Sequence, residues 1–282
     1  MEWLSRFTEW ANSLQIKDNV TIYISAVALA IAIINFFITV RQKKKEDQRI
    51  LRSQLTDVLA KIVSLNLENA KLPPHDLLPP GTPSNIKAFF NDQRRFLVRQ
   101  AVYIIDQLEP PVGSFEYLMI AVTYDYIDDV SSAKRYFELA LQRAEDDINR
   151  GIITRSFARF CFSQGEHASA RGLFDKAIEI FSGDSDRMKE NRGETFYRWA
   201  KSEFEWGFSE NAEDLFKRAR KEFESKLNRV TKERSLSRLD YDIKQLSAAY
   251  LSKVGQDIRT GRKRTDGAAA RAGKDARQPH KH

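Results

Sequence analysis

The sequence predicts an all-α protein: one N-terminal transmembrane helix, then an α-solenoid of about three helix pairs with flanking capping helices. Three observations carry this. Residues Val20–Val40 (VTIYISAVALAIAIINFFITV) hold no charged side chain, and Arg41-Gln42-Lys43-Lys44-Lys45 follows at once. Past a proline-rich break, apolar residues recur at helical spacing from Asn85 to about Gly255. Within that region one small–aromatic–small pattern returns three times.

The apolar run has about 21 residues, the length a helix needs to cross a hydrocarbon core of roughly 30 Å. With no water to bond the backbone, a helix is the form in which a single stretch crosses. It is longer than the apolar core of a signal peptide, which spans about 7–15 residues, and no small-residue cleavage site follows, so an uncleaved anchor is expected. Lysine and arginine stay on the cytoplasmic side. The flank after the run carries Arg41, Lys43, Lys44, Lys45 and Arg49, and the flank before it only Arg6 and Lys17. The expected location is therefore a membrane, single-pass, with the N-terminus outside and the C-terminal domain cytosolic. Before the anchor, residues 1–19 place Trp3, Leu4, Phe7, Trp10, Leu14 and Ile16 at roughly helical spacing, which suits an amphipathic segment in the interface.

Residues 41–72 read as a charged helical stalk. Leu51, Leu55, Val58, Ile62, Leu65 and Leu72 fall at alternating steps of four and three, with Asn69 in the remaining seam position. That period fits either a short coiled coil or an amphipathic helix packed on the protein's own domain. Residues 73–84 hold five of the 8 prolines and break any helix, so they read as a linker. The repeat domain follows over 85–255. Residues 256–282, rich in alanine, glycine and charge, read as a disordered basic tail.

The formal charge of +7 is unevenly placed. The tail contributes about +5 and the stretch Arg41–Arg49 about +3, leaving the body near neutral. A basic tail and a stop-transfer cluster explain the excess without a nucleic-acid site, and suit an anionic membrane surface equally. Cys161 is the only cysteine, so no intrachain disulfide can form. The histidines at 75, 167, 280 and 282 share no metal-ligand spacing. There is no phosphate-cradling glycine loop, no G-x-S-x-G and no HExxH, so no enzyme, cofactor or metal is expected.

The repeat aligns as follows. Tyr117-x-x-Ile120-Ala121-x-x-Tyr124 precedes Ala133-x-x-x-Phe137-x-x-Ala140. Phe157-Ala158-x-x-Cys161 and Gly165 precede Ala170-x-x-x-Phe174-x-x-Ala177. Phe196-x-x-Trp199-Ala200 and Gly207 precede Ala212-x-x-x-Phe216-x-x-Ala219. Two antiparallel helices approach closely only where small side chains meet. The expected contacts are Ala121 with Ala133, Ala158 with Ala170, and Ala200 with Ala212. Each Phe fills the space beside them, and each last Ala admits the next pair. Gly165 and Gly207 fall in the turns, where glycine frees the backbone.

In these residues, over roughly Ser114 to Phe223, the chain resembles the tetratricopeptide repeats. It departs from them in three ways. Its repeats start about 37 and 42 residues apart against a family period of about 34. Glu203 stands where an aromatic is usual, and the closing prolines are missing. The resemblance implies a curved array whose first helices line the concave side. The flanking helices around Asn85–Leu108 and Ser235–Val254 would then cap it.

Columns on those first helices are where a ligand is expected. One column is Leu118, Arg155 and Tyr197; the next is Val122, Arg159 and Lys201, with Arg198 adjacent. This makes a groove that is apolar at its first repeat and cationic at the next two. Arginine forks match carboxylates bidentately, so an acidic or carboxylate-ended peptide is the natural ligand. The asparagines of chaperone-tail-binding relatives are absent from these columns. The alternative is that Arg155, Arg159, Arg198 and Lys201 are solvated charges paired with Glu194, Glu205 or Glu210. Two functions follow: a membrane-tethered interaction module that recruits a partner protein or acidic peptide, or a self-associating scaffold, with a homodimer as one form.

Overall fold

The computed structural model describes residues 2–71 and 86–260, without the side chains over most of 2–27, at 87 and over 249–260. The expected linker at 73–84, the tail beyond Thr260 and most side chains of the expected interfacial segment lie outside the described residues. Every regular element described is an α-helix. The chain divides into two compact units, Met1–Val112 and Gly113–His282.

The first unit pairs α1 (Glu2–Lys71) with α2 (Ile86–Ile105). The seam read from sequence faces α2: Leu55, Val58, Ile62 and Leu65 are buried, as are Phe90, Val98, Ala101 and Ile104 opposite. The polar contact within it is not Asn69. Arg94, buried on α2, donates from Nε to Asn66 Oδ1 at 2.8 Å. The chain after α2 is clamped to α1 by residues one helical turn apart. Lys44 reaches Glu109 at 2.6 Å, Gln48 exchanges bonds with Gln107 O at 3.0 Å and Glu109 N at 2.7 Å, and Arg52 donates to Pro110 O at 2.6 Å. The seam is thus used inside the chain, and α2, expected to flank the repeats, packs on α1.

The expected membrane crossing is corrected. No helix among the described residues is long and apolar enough to cross a membrane. On α1 the apolar side chains that are described run from Ala28 to Val40, and Arg41, Lys43, Lys44 and Lys45 continue the same helix. That run is about 20 Å long at 1.5 Å per residue, against about 30 Å of hydrocarbon. The side chains of residues 20–27, the rest of the expected span, are not among those described. The orientation expected from the flanking charges rested on that span.

The second unit stacks three helix pairs in order. They are α3 (Ser114–Tyr126) with α4 (Val130–Gln142), α5 (Asp147–Ser163) with α6 (His167–Ile180), and α7 (Asp186–Glu205) with α8 (Ser209–Glu224). α9 (Arg229–Thr260) packs on α8 and runs past the expected helix end at Val254. First helices of successive pairs also touch, α3 with α5 and α5 with α7. Of the expected packing residues, Ala121, Ala133, Phe137, Ala140, Ala158, Ala170, Phe174, Ala177, Ala200, Ala212 and Ala219 are all buried.

Phe216 is the exception, half-buried beside Tyr197 with ring centroids 6.3 Å apart, while Leu215 is buried. The aromatic contacts explain this. Phe137 stacks on Phe157 of the following pair at 5.2 Å, and Phe174 on Trp199 of its following pair at 5.4 Å. The helix after Phe216, α9, does not carry the repeat, and its buried apolar residue is Leu239. Phe216 therefore turns to its own pair.

Two further repeated features hold each pair. The turn residue adopts positive φ at Asp128 (59°), Gly165 (85°) and Gly207 (90°). In each turn the next N–H reaches back to the helix end: Asp129 N to Tyr124 O at 3.0 Å, Glu166 N to Cys161 O at 3.0 Å, Phe208 N to Glu203 O at 2.9 Å. This is the six-to-one bond that ends a helix when the residue before it is left-handed. At the open end of each hairpin, a Cβ placed on Gly151 or Gly193 would overlap the ring of Phe181 or Phe223. The residues at the same spacing in the first pair are Ser114 and Ala144, both buried.

Glu203, the departure from the family's aromatic, is 1% exposed. Arg171 grips it with two bonds of 2.7 Å, and Trp199 Nε1 donates to it at 2.8 Å. Burial alone would raise its pKa; these donors outweigh burial and hold the carboxyl below its ordinary value.

Candidate functional site

The site residues expected from sequence separate into two groups. Leu118 is buried and Val122 half-buried on α3, both serving packing. Arg159 lies 3.5 Å from Asp125 of α3, whose burial raises its pKa despite that arginine. Lys201 lies 3.9 Å from Glu205 on its own helix.

The other three gather around one carboxylate, Glu194 of α7. Arg198 Nε bonds Glu194 Oε1 at 2.7 Å, one helical turn along. Arg238 of α9 pairs with Glu194 Oε2 and lies over the ring of Tyr197 at 5.6 Å. Tyr197 donates its hydroxyl to Asp242 of α9 at 2.9 Å; burial and that acceptor push its pKa up to about 12.

Arg155 of α5 is only 7% exposed. It donates to Asn191 O at 3.2 Å and to Thr195 Oγ1 at 3.4 Å, and lies over the ring of Phe181 at 6.0 Å. Burial first, then the Arg198 charge, pushes its pKa down to about 10, with Glu194 opposing. Repulsion from Arg198 and Arg238 and attraction to Glu194 all register at this guanidinium. Arg198 and Arg238 therefore share Glu194 as their carboxylate, and Arg155 is held beside them by Asn191 and Thr195.

Two members were missed by the sequence reading, Arg238 and Asp242, because both come from the helix taken as a closing cap. Their spacing of one helical turn, together with the Glu190 and Glu194 pair on α7, is the signal that was there to be read. Among the described residues no group of His, Cys, Asp and Glu could hold a metal ion. No family model matches the chain, and no curated protein matches it in sequence.

Proposed function

We propose that the second unit is a tetratricopeptide-like solenoid acting as a non-catalytic interaction module. It recruits a partner protein through an acidic or carboxylate-ended segment. The observation that carries the reading is the pair of half-exposed guanidinium groups on Glu194: Arg198 and Arg238 each hold one oxygen of that carboxylate. An incoming carboxylate would complete the set, with charge-assisted bonds roughly twice as strong as neutral ones. Arg198 and Arg238 keep 42% and 50% of their side-chain surface exposed, so a ligand can reach them. The stacked pairs, their repeated turns and their small-residue contacts support the solenoid.

The test is a binding titration of the folded protein with a fluorescent Glu-rich peptide and a neutral control of equal length. Reversing Arg198 and Arg238 to Glu is expected to abolish binding of the acidic peptide, a loss of several kcal/mol if both contact it. Added salt is expected to weaken binding by the wild type. Equal affinity for both peptides would remove this site from the function. Arg155 is unsuitable for the same substitution, because a buried unpaired carboxylate would unfold the unit.

A further inference from the structure

One face of α1 carries a run of cations. Arg41, Lys44, Lys45, Arg49 and Arg52 share that face by helical spacing and line a cleft of about 610 Å³. Glu109 and Pro110, from the chain after α2, form its other wall. All five cations are exposed. Lys44 meets Glu109, the one carboxylate of the lining, at 2.6 Å. Arg52 donates to the neutral carbonyl of Pro110 and keeps its whole charge. Arg49 stands 3.7 Å from Glu46, which does not line the cleft. Among the described residues Arg41 and Lys45 make no ion pair. The lining thus sets five cations against one carboxylate, which attracts an anion.

The turns of α1 just before the cleft present large apolar side chains on every side. Each residue from Ala28 to Val40 is exposed, Phe36 and Phe37 by 64% and 66%. Consecutive helical residues point about 100° apart, so Phe36, Phe37 and Ile38 alone face three directions. Thr39, one of the two polar residues here, turns its hydroxyl onto the Asn35 carbonyl at 2.8 Å. A protein groove or a second helix would cover one side of this stretch and leave the others in water. Liquid hydrocarbon covers all sides at once. Arg41 begins where Val40 ends, and Lys44 and Lys45 lie within about 8 Å of it along the axis. That matches the headgroup layer, about 5–8 Å deep on each side of a hydrocarbon core.

We propose that the cleft holds the phosphate of an anionic phospholipid at a membrane surface, with the stretch Ala28–Val40 entering the hydrocarbon beneath it. The described stretch is about 20 Å long and too short to cross, and binding asks only that it enter. Arg41 and Lys45, one turn apart and unspent on any carboxylate, take the phosphate oxygens. Arg49 and Arg52, further from the core, add attraction to the negative surface. An acidic peptide would satisfy the cations and leave Phe36 and Phe37 in water, and so would a free phosphate ion. A lipid supplies partners for both the charges and the rings.

The test is co-sedimentation of the full chain with two kinds of vesicle, phosphatidylcholine alone and phosphatidylcholine mixed with phosphatidylserine. Wild type is expected to bind the anionic vesicles at least about 10-fold more tightly, at roughly fivefold per cation near the surface. Arg41→Glu with Lys45→Glu removes that preference. Lys61→Glu with Lys71→Glu makes the same change in net charge at least about 24 Å further along α1, and keeps the preference. Phe36→Ser with Phe37→Ser weakens binding to both kinds of vesicle. Inorganic phosphate, matched to the phosphate concentration of the vesicles, does not displace the protein. Helix content confirms that each variant is folded, as substitution at exposed positions allows. Equal wild-type binding to both vesicles, or a preference that survives Arg41→Glu with Lys45→Glu, would overturn the proposal. So would loss of the preference in the Lys61 and Lys71 variant, full binding by the Phe36 and Phe37 variant, or displacement by inorganic phosphate.

Discussion

The α1–α2 hairpin and the stacked pairs α3 to α8 solve the same problem, burying helix faces, with different codes. The hairpin uses a heptad seam of Leu55, Val58, Ile62 and Leu65, residues of similar size that any apolar seam could meet. The stack uses matched sizes: Ala against Ala inside each pair, Gly151 and Gly193 under Phe181 and Phe223, and Phe137 and Phe174 on the aromatics of the next pair. A seam of equals specifies a period but not a partner. A match of small to large specifies which residue meets which.

The sharpest way to break the comparison is to place Lys at both Leu55 and Ile62. In a coiled coil between chains this would remove a dimer and leave the monomer folded. Here both positions are buried against α2, so the hairpin itself is expected to unfold, losing about 5 kcal/mol or more. Far-ultraviolet circular dichroism that keeps its full helical signal would return the seam to an intermolecular role.

In the stack, Gly193→Ala is expected to cost about 1–3 kcal/mol, because the added methyl meets the Phe223 ring. Adding Phe223→Ala to it removes the ring that the new methyl meets. The two substitutions together should cost less than the sum of each alone, a coupling of about 0.5–3 kcal/mol in a double-mutant cycle. Strict additivity would mean the two residues do not meet.

A smaller effect is expected at the first turn. Asp128 holds φ at 59° where the later turns have glycine, and it raises the pKa of nearby Asp125 by repulsion. Asp128→Gly is expected to stabilise the protein by about 0.5 kcal/mol, relief of the left-handed backbone offset in part by a looser unfolded chain. A lowered melting temperature would show that the turn is held by the Asp128 side chain.

The pH dependence tests a feature specific to the middle of the stack. His167 is ringed by Phe162, Trp206 and Phe208 at 4.5–5.4 Å, and burial lowers its pKa. A base whose folded pKa lies below its unfolded value takes up protons on unfolding. Stability should therefore be unaffected above about pH 6.5 and fall as pH drops below it. His167→Phe should remove that slope in melting experiments, and an unchanged slope would assign it to other groups.

The repeat was legible because its residues are unusual in size and recur at fixed distance: Ala121, Ala158 and Ala200 with their partners could be aligned by eye. The Gly–Phe contacts were missed because the first pair replaces both members, so no motif recurs three times. Phe216 was misjudged because its role depends on a following pair that α9 does not supply. The stalk seam was legible as a period, and its partner was not, since the residues between α1 and α2 give no distance. The site was half legible. Arg155, Tyr197 and Arg198 lie on helices that the repeat orders, whereas Arg238 and Asp242 enter from α9, which carries no repeat signature. The spanning helix was read from an apolar run from 20 to 40, and among the described residues no helix is long and apolar enough to cross.

If Glu194 stands where a ligand carboxylate would sit, removing its charge should strengthen acidic-ligand binding, not weaken it. Glu194→Gln leaves Arg198 and Arg238 without their shared carboxylate while keeping the side chain's size. The direct measurement is a calorimetric titration of this variant and wild type with the same Glu-rich peptide at fixed salt. Binding tighter by about tenfold, or 1.4 kcal/mol, is the expected result. Binding that is unchanged or weaker in a variant with native helix content would show that Glu194 holds the arginines for structure alone, and that the acidic peptide docks elsewhere.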